Sequence, residues 1–258
     1  MYIKVLTLFP EMFAEVLSAS ILGRAAEKGI LSVEVANIRD YSTNKHLKAD
    51  DYPFGGGAGM VMMAQPVFDA VAASTPARKV YMSPRGKLLD EALIRSLAAE
   101  EELLILCGHY EGMDQRVLDY FDFEEVSIGD YVLTGGELPA MVLIDAVARM
   151  LPEALGNEQA HLEESIYSGL LEYPQYTRPA AFEYQWQTLE VPPVLAGGNH
   201  KEIHLWNYRE SLALTMKVRP DLFRKYIQTV KPEDLTKEEK KILAECREAF
   251  ELEDNESD

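Results

Sequence analysis

The residues in this chain best suited to hold a small molecule are glycines and their neighbours. Ser127 to Met141, SIGDYVLTGGELPAM, places three glycines within eight residues. It reads as an apolar run broken at Gly129, then a Thr-Gly-Gly turn, then a helix opened by Pro139. A residue without Cβ tolerates positive φ and lets backbone approach a ligand closely. Tyr131, Val132 and Leu133 would supply a flat apolar wall. Such a loop suits a small, largely apolar molecule held through main-chain groups. The same string is also compatible with an ordinary strand, turn and helix start, because glycine turns are common punctuation.

Other strings invite chemistry and carry less of it. FGGGAGM (54–60) resembles a phosphate loop, but no Lys-Ser/Thr pair follows, so it is not a Walker A site. A loop closing over a nucleotide and a flexible lid or hairpin are equal readings there. The dinucleotide fingerprint GxGxxG is absent from the chain. His200 and His204 are spaced to share a metal on one helix face, but no further ligand stands nearby, which favours helix-start polar residues. Cys107 and His109 lack zinc-ligand spacing. Asp145 and Arg149, four apart on a helix, ordinarily form a surface ion pair worth about 0.3 kcal/mol. No Ser-His-Asp or Cys-His arrangement can be placed on neighbouring loops.

These loops need a frame, and the first 150 or so residues supply one by alternating strand and helix. Strands are expected at Tyr2 to Phe9, Ser32 to Ile38, Lys79 to Ser83, Leu103 to Cys107 and Glu125 to Ile128. Helices are expected from Pro10 to Lys28, closed by Gly29, and over Gln65 to Ala73, Leu89 to Ala99, Met113 to Phe121 and Leu138 to Leu151. That order predicts an α/β fold, a mostly parallel sheet flanked by helices on both faces. Ligands then bind at the carboxyl ends of the strands. SPRG (83–86), GHYEG (108–112) and IGDYVLTGG (128–136) all fall at that edge. Asn157 to Ser168 is polar, acidic and aperiodic, as a linker would be. Beyond it, Asn199 with Glu202 and Thr236 with Glu239 are capping-box pairs for helices reaching about Met216 and Phe250. The C-terminal part is therefore small and mainly helical.

The chain has 258 residues, enough for a substantial core. No apolar run approaches the roughly 20 residues of a membrane span, and MYIKVLTLF begins as a strand without a signal-peptide layout. Cys107 and Cys246 are the only cysteines, which argues against a disulfide framework and fits a reducing cytoplasm. The net charge of −18 does not suggest a nucleic-acid partner. Its distribution is uneven, however. Lys201 to Lys231 holds seven bases against three acids, and Pro232 to Asp258 holds eleven acids against four bases. The final ELEDNESD reads as a disordered, solvated tail.

Four motifs in order, IGDYVLTGGELPAM, GHYEGMDQR (108–116), GLLEYPQYTRP (169–179) and VPPVL-GGNH-EI--W (191–206), are similar to those of the bacterial tRNA (guanine-37-N1)-methyltransferases. These belong to the SPOUT group of knotted methyltransferases. The resemblance runs from YIKVLTLFPEMF to about Leu222. It implies a trefoil knot, a feature that generic chain-threading rules would not predict. It also implies S-adenosylmethionine as methyl donor and tRNA bearing guanosine 37 as acceptor. Obligate homodimers complete the site with the partner's linker and C-terminal domain. On this pattern, residues 1–156 form the S-adenosylmethionine-binding domain and 157–172 the interdomain linker. Residues 173–250 form a helical tRNA-binding domain, and 251–258 the acidic tail. The basic excess from Lys201 to Lys231 becomes a tRNA-facing surface.

Carried over motif by motif, cofactor contacts fall on Tyr81, Ser83, Gly108, Ile128, Gly129, Asp130, Tyr131, Val132, Leu133 and Gly135. The sulfonium already makes its methyl group electrophilic, so transfer needs positioning and removal of the guanine N1 proton rather than a protein nucleophile. The family assigns that proton to a linker aspartate, helped by the arginine matching Arg149. The matching linker position here is Glu164, within EESI, and the departure is chemical as well as nominal. A glutamate carboxylate reaches about 1.5 Å further, and a misplacement of ~1 Å can cost about a hundredfold in rate. Backbone compensation, Glu163 or a water are the ways to absorb it. The family has been associated with a divalent ion such as Mg2+, for which no ligand cluster is visible in the sequence. The competing readings are a noncatalytic tRNA-binding protein of the same fold and a SPOUT ribose 2′-O-methyltransferase.

Overall fold

The structure, a computed structural model, describes residues 1–75, 77–155 and 168–256. The chain divides into two compact units, Met1–Glu158 and Gln159–Asp258.

The first unit is built on five strands: β1 (Tyr2–Thr7), β2 (Ser32–Asn37), β5 (Arg78–Leu88), β6 (Glu102–Cys107) and β7 (Glu124–Ser127). They lie in the order β2-β1-β6-β5-β7, and every ladder in the sheet is parallel. Buried strands of this kind are near-continuous apolar runs because both faces are covered. Alternation decides which face each side chain serves. Ile3, Val5, Leu103, Ile105, Val80 and Met82 pack on one side. There they meet helices α2 (Ser20–Glu27), α4 (Glu91–Ala98) and α6 (Glu137–Ala148). Leu6, Leu104, Leu106 and Tyr81 pack on the other side, against α3 (Ala64–Ala72) and α5 (Gln115–Phe121). The expected parallel sheet with helices on both faces is the observed architecture.

Two details differ from the sequence pattern. The single helix expected from Pro10 to Lys28 is interrupted. A 3-10 turn at Pro10–Met12 and a short α1 (Ala14–Ser18) precede an extended Ala19 and a left-handed Ser20. Gly23 permits this break, because a Cβ there would overlap the backbone carbonyl of Ser18. The FGGGAGM loop follows the hairpin reading, as the tip of a small antiparallel pair, β3 (Asp50–Asp51) with β4 (Val61–Met62). Strand β5 does not stop at Ser83. It leaves the ladder after Met82 and returns at Lys87, and both residues pair with Val126. Gly86 allows the return, since a Cβ there would overlap the backbone of Glu125 and Val126.

The second unit contains an antiparallel hairpin, β8 (Ala181–Tyr184) with β9 (Gln187–Glu190), and helices α7 (Pro193–Ala196), α8 (His200–Val218), α9 (Pro220–Thr229) and α10 (Lys237–Glu256). Its core is Leu170, Leu212, Phe223, Ile242 and Phe250. Both helix starts follow their capping residues. Asn199 Oδ1 accepts from the Lys201 N–H at 3.2 Å. Thr236 and Glu239 cap reciprocally, at 3.2 Å and 2.7 Å. Helix α10 runs to Glu256, so most of the tail expected to be disordered is helical. The Arg247–Glu251 pair at 2.8 Å supports that extra length.

Candidate active site

The carboxyl ends of β6 and β7, with β5 where it leaves the ladder, surround a cavity of about 320 Å³. Its lining includes Tyr81, Ser83, Gly108, Ile128, Gly129, Tyr131, Val132, Leu133 and Gly135, nine of the ten positions expected to touch a cofactor. The tenth, Asp130, is exposed and is not part of the lining. Residues taken from three separate loops thus meet at one sheet edge because the strands carrying them are neighbours in the sheet.

Each wall has a local cause. From β5, Tyr81 is buried and its phenol lies over Gly108, where a Cβ would come within 2.6 Å of the hydroxyl oxygen. Burial, reinforced by the nearby Glu125 charge, pushes this phenol up to about 12, so it is a neutral hydrogen-bonding group at neutral pH. Ser83 Oγ accepts from the Arg85 N–H at 3.2 Å, and Arg85 reaches Glu125 of β7 at 3.0 Å. These contacts tie the excursion of β5 to its neighbour.

After β7, Ser127 Oγ accepts from the Gly129 N–H at 3.2 Å, and the Tyr131 N–H donates to the Gly129 carbonyl at 3.0 Å. Gly129 has φ +149 and supports the edge of the Tyr131 ring. The turn at Tyr131 to Leu133 leaves all three side chains exposed, Val132 at 84 %. That is the apolar wall expected from the sequence. The Thr-Gly-Gly turn is then sewn onto the end of β6. Gly135 bridges His109, and the Gly136 N–H donates to the Gly108 carbonyl at 2.7 Å. Gly136 must be glycine, because a Cβ would sit 2.7 Å from Gly108 N and 2.8 Å from Cys107 Cα.

Several lining residues were not singled out from the sequence: Arg85, His109, Tyr110, Glu111, Met113 and Gln115. His109 sits between Phe9 and Tyr110, tilted to the first and edge-to-face with the second, with ring centroids 4.8 Å from each. Apart from Arg85, which lies in SPRG (83–86), they all lie in GHYEGMDQR, the loop after a wholly apolar strand. The β3–β4 hairpin runs beside this loop. The Glu111 N–H donates to Met60 O at 3.0 Å and the Met62 N–H to Gly112 O at 2.9 Å. At its tip Phe54 is fully exposed.

Arg149 caps the C-terminus of α6, half-buried, with its N–H donating to Asp145 O at 3.1 Å, and does not line the cavity. Glu164 and Glu163 lie outside the described residues. Burial and the neighbouring Glu137 charge raise the Cys107 thiol well above its ordinary range, so it stays protonated. His204 pairs with Glu239 at 2.9 Å, consistent with a structural part for that histidine. Among the described residues no group of three or more His, Cys, Asp or Glu could hold a metal ion. No described helix is long and apolar enough to cross a membrane.

Fold and site together define an α/β protein whose small-molecule pocket is built largely from glycine-loop backbone at the carboxyl edge of a parallel sheet. The sequence model of the family described as tRNA (Guanine-1)-methyltransferase TrmD matches residues 1–225, and this chain belongs to that family. Among curated relatives, the tRNA (guanine-N(1)-)-methyltransferase of Alkaliphilus metalliredigens is 51% identical over 231 residues, covering 87% of this chain and 92% of its own. The protein of the same name from Clostridium botulinum strain Hall is 50% identical over 246 residues, covering 94% and 97%. That from Alkaliphilus oremlandii is 52% identical over 241 residues, covering 90% and 95%.

Proposed function

We propose that this protein transfers the methyl group of S-adenosylmethionine to N1 of guanosine 37 in tRNA, giving N1-methylguanosine beside the anticodon. The observation that carries the reading is the convergence of nine expected cofactor positions on one cavity in a chain of this family. The lining fits the cofactor chemically. Backbone N–H and carbonyl groups of the Gly108, Gly129 and Gly135 loops suit the polar edges of an adenosine and an amino acid, while Tyr131, Val132 and Leu133 suit its apolar faces.

Bound there, the sulfonium supplies a methyl group that is already electrophilic. The chain's own residues then orient, exclude water and move one proton. Glu164 takes the guanine N1 proton, and Arg149 steadies the charge developing on O6. In this reading the first unit folds as a SPOUT trefoil knot. The 173–250 segment, with its bases between Lys201 and Lys231, faces tRNA in the cytoplasm. The chain works as a homodimer in which the partner's linker completes the site. Helix α6 supports the dimer, since Leu138 and Val142 leave an apolar stripe 50% and 48% exposed. A Mg2+ requirement rests on the family resemblance alone.

The test is methyl transfer from labelled S-adenosylmethionine to a tRNA transcript with guanosine 37, against the same transcript with adenosine there. Product on the first alone is expected; product on neither overturns the reading. In single-turnover assays across pH, Glu164→Gln is expected to slow transfer by about 10²–10⁴-fold, the usual worth of a general base, and Glu163→Gln to leave it near normal. Loss in the Glu163 variant alone would reassign the base. An Arg149→Ala variant with normal turnover and a lower melting temperature would reassign Arg149 to a structural ion pair.

A further inference from the structure

Glu137 opens α6 directly behind the Thr-Gly-Gly turn and is 2 % exposed. Its Oε1 accepts from Thr7 Oγ1 at 2.7 Å, across 130 residues of sequence. Thr7 ends β1, and its hydroxyl oxygen also accepts from the Phe9 N–H at 3.0 Å, which fixes the donor's direction. The second carboxylate oxygen lies against Gly135, where a Cβ would overlap it and would also come 2.7 Å from His109 Nδ1. The carboxylate therefore occupies the space that a larger residue at 135 would need.

A carboxylate this deeply buried is costly to retain unless it is hydrogen-bonded and electrostatically supported. The Thr7 hydroxyl and the amide dipoles at the start of α6 provide that support. Neither step of the proposed reaction uses Glu137, yet it is the side-chain link between the turn and the end of β1. The remaining ties of the turn, His109 with Gly135 and Gly108 with Gly136, are backbone contacts to the end of β6.

We propose that Glu137 is a positioning residue: with Thr7 it forms a buried strut that holds the Thr134–Gly136 turn in the shape that closes the cofactor cavity. The inference rests on the cavity being the cofactor site, so the experiment separates the two. Amide hydrogen exchange at Gly136 is measured first, without ligand, in the wild type, Thr7→Val, Thr7→Ser, Glu137→Gln and the Thr7→Val/Glu137→Gln double variant. Thr7→Val is expected to speed exchange at Gly136 by about tenfold, the worth of one lost buried hydrogen bond. Amides of Ile3 and Ile105 in the strands should be unmoved, and Thr7→Ser should restore protection. The double variant should be no worse than Thr7→Val alone, because a glutamine amide oxygen still accepts from the Thr7 hydroxyl and only Thr7→Val removes the link.

The same variants are then assayed for methyl transfer. The KM for S-adenosylmethionine should rise by about tenfold in Thr7→Val with kcat within about twofold, as expected when ground-state and transition-state binding are lost equally. A lower melting temperature with Gly136 exchange and KM both unchanged would reduce the pair to a core hydrogen bond and overturn the strut. A wild-type protein that binds no S-adenosylmethionine would overturn the cofactor reading, while exchange at Gly136 would still decide the strut.

Discussion

Two glycine-rich loops flank the same edge of the molecule, and their glycines are there for opposite reasons. In the Thr134–Gly136 turn, Gly135 and Gly136 lie close to other chain segments, and a Cβ would collide with Glu137, His109 or the backbone of β6. In the Phe54–Met60 loop, Gly55, Gly56 and Gly57 have φ of +86, +77 and +127, and nothing lies within 4 Å of where a Cβ would stand. The first loop uses glycine for close approach, the tip of the second for conformation; only at its far end does Gly59 also abut a side chain, that of Glu111. One composition thus yields a wall that is fixed by packing and a hairpin tip that is not.

Substitutions should separate the two. Gly136→Ala drives a Cβ into backbone that cannot move without disturbing β6. It should cost ~3 kcal/mol, the upper range for overpacking, and abolish cofactor binding; a melting temperature within 2 °C of wild type, by calorimetry, would break the contrast. The packed side should also keep Tyr81 dry. Its raised folded-state pKa means that the folded state holds its proton more tightly than the unfolded one. Stability from this group is intact below about 10 and falls as pH rises from there through about 12, the folded value. Absorbance titration of the phenolates, compared with Tyr81→Phe, checks this: the variant should lack one late-titrating tyrosine.

On the open side, Gly56→Ala should cost only ~1 kcal/mol, the strain of a left-handed L-residue, with Gly56→Asn costing less. A loss as large as that of Gly136→Ala would mean the tip is packed after all. The smallest effect belongs to exposed charge pairs such as Lys201 with Glu238, 2.6 Å apart. Lys201→Met should change stability by no more than ~0.5 kcal/mol, measured by urea denaturation.

Much of this was legible because strong local signals agreed with the global fold. Runs such as Leu103 to Cys107 could only be strands buried on both faces, and the loops after them had to share an edge. What the sequence hid depends on distant partners. The return of β5 at Lys87 is specified by Glu125 and Val126, not by its own residues. The break at Ala19 depends on how closely Gly23 approaches Ser18. Hairpin β8–β9 is exposed along both strands, so no hydrophobic face marked it. Glu137 stands just before the helix start expected at Leu138, and only Thr7, far away in sequence, reveals what its carboxylate does. Asp130 is exposed and outside the cavity lining, and a contiguous motif marks a loop without saying which of its side chains turn outward.

The double pairing of β5 on Val126 also sets an order in time. The Ser83–Gly86 excursion is synthesised about forty residues before the strand it closes upon. Until β7 emerges, that segment has no partner to hold it, and loop-closure entropy must be met before the contact rewards it. The wall of the pocket that carries Ser83 is therefore among the last parts of the first unit to set, whereas Tyr81 already pairs with Leu106 of β6. A nascent chain halted before Glu124 would carry most of the sheet and no cavity.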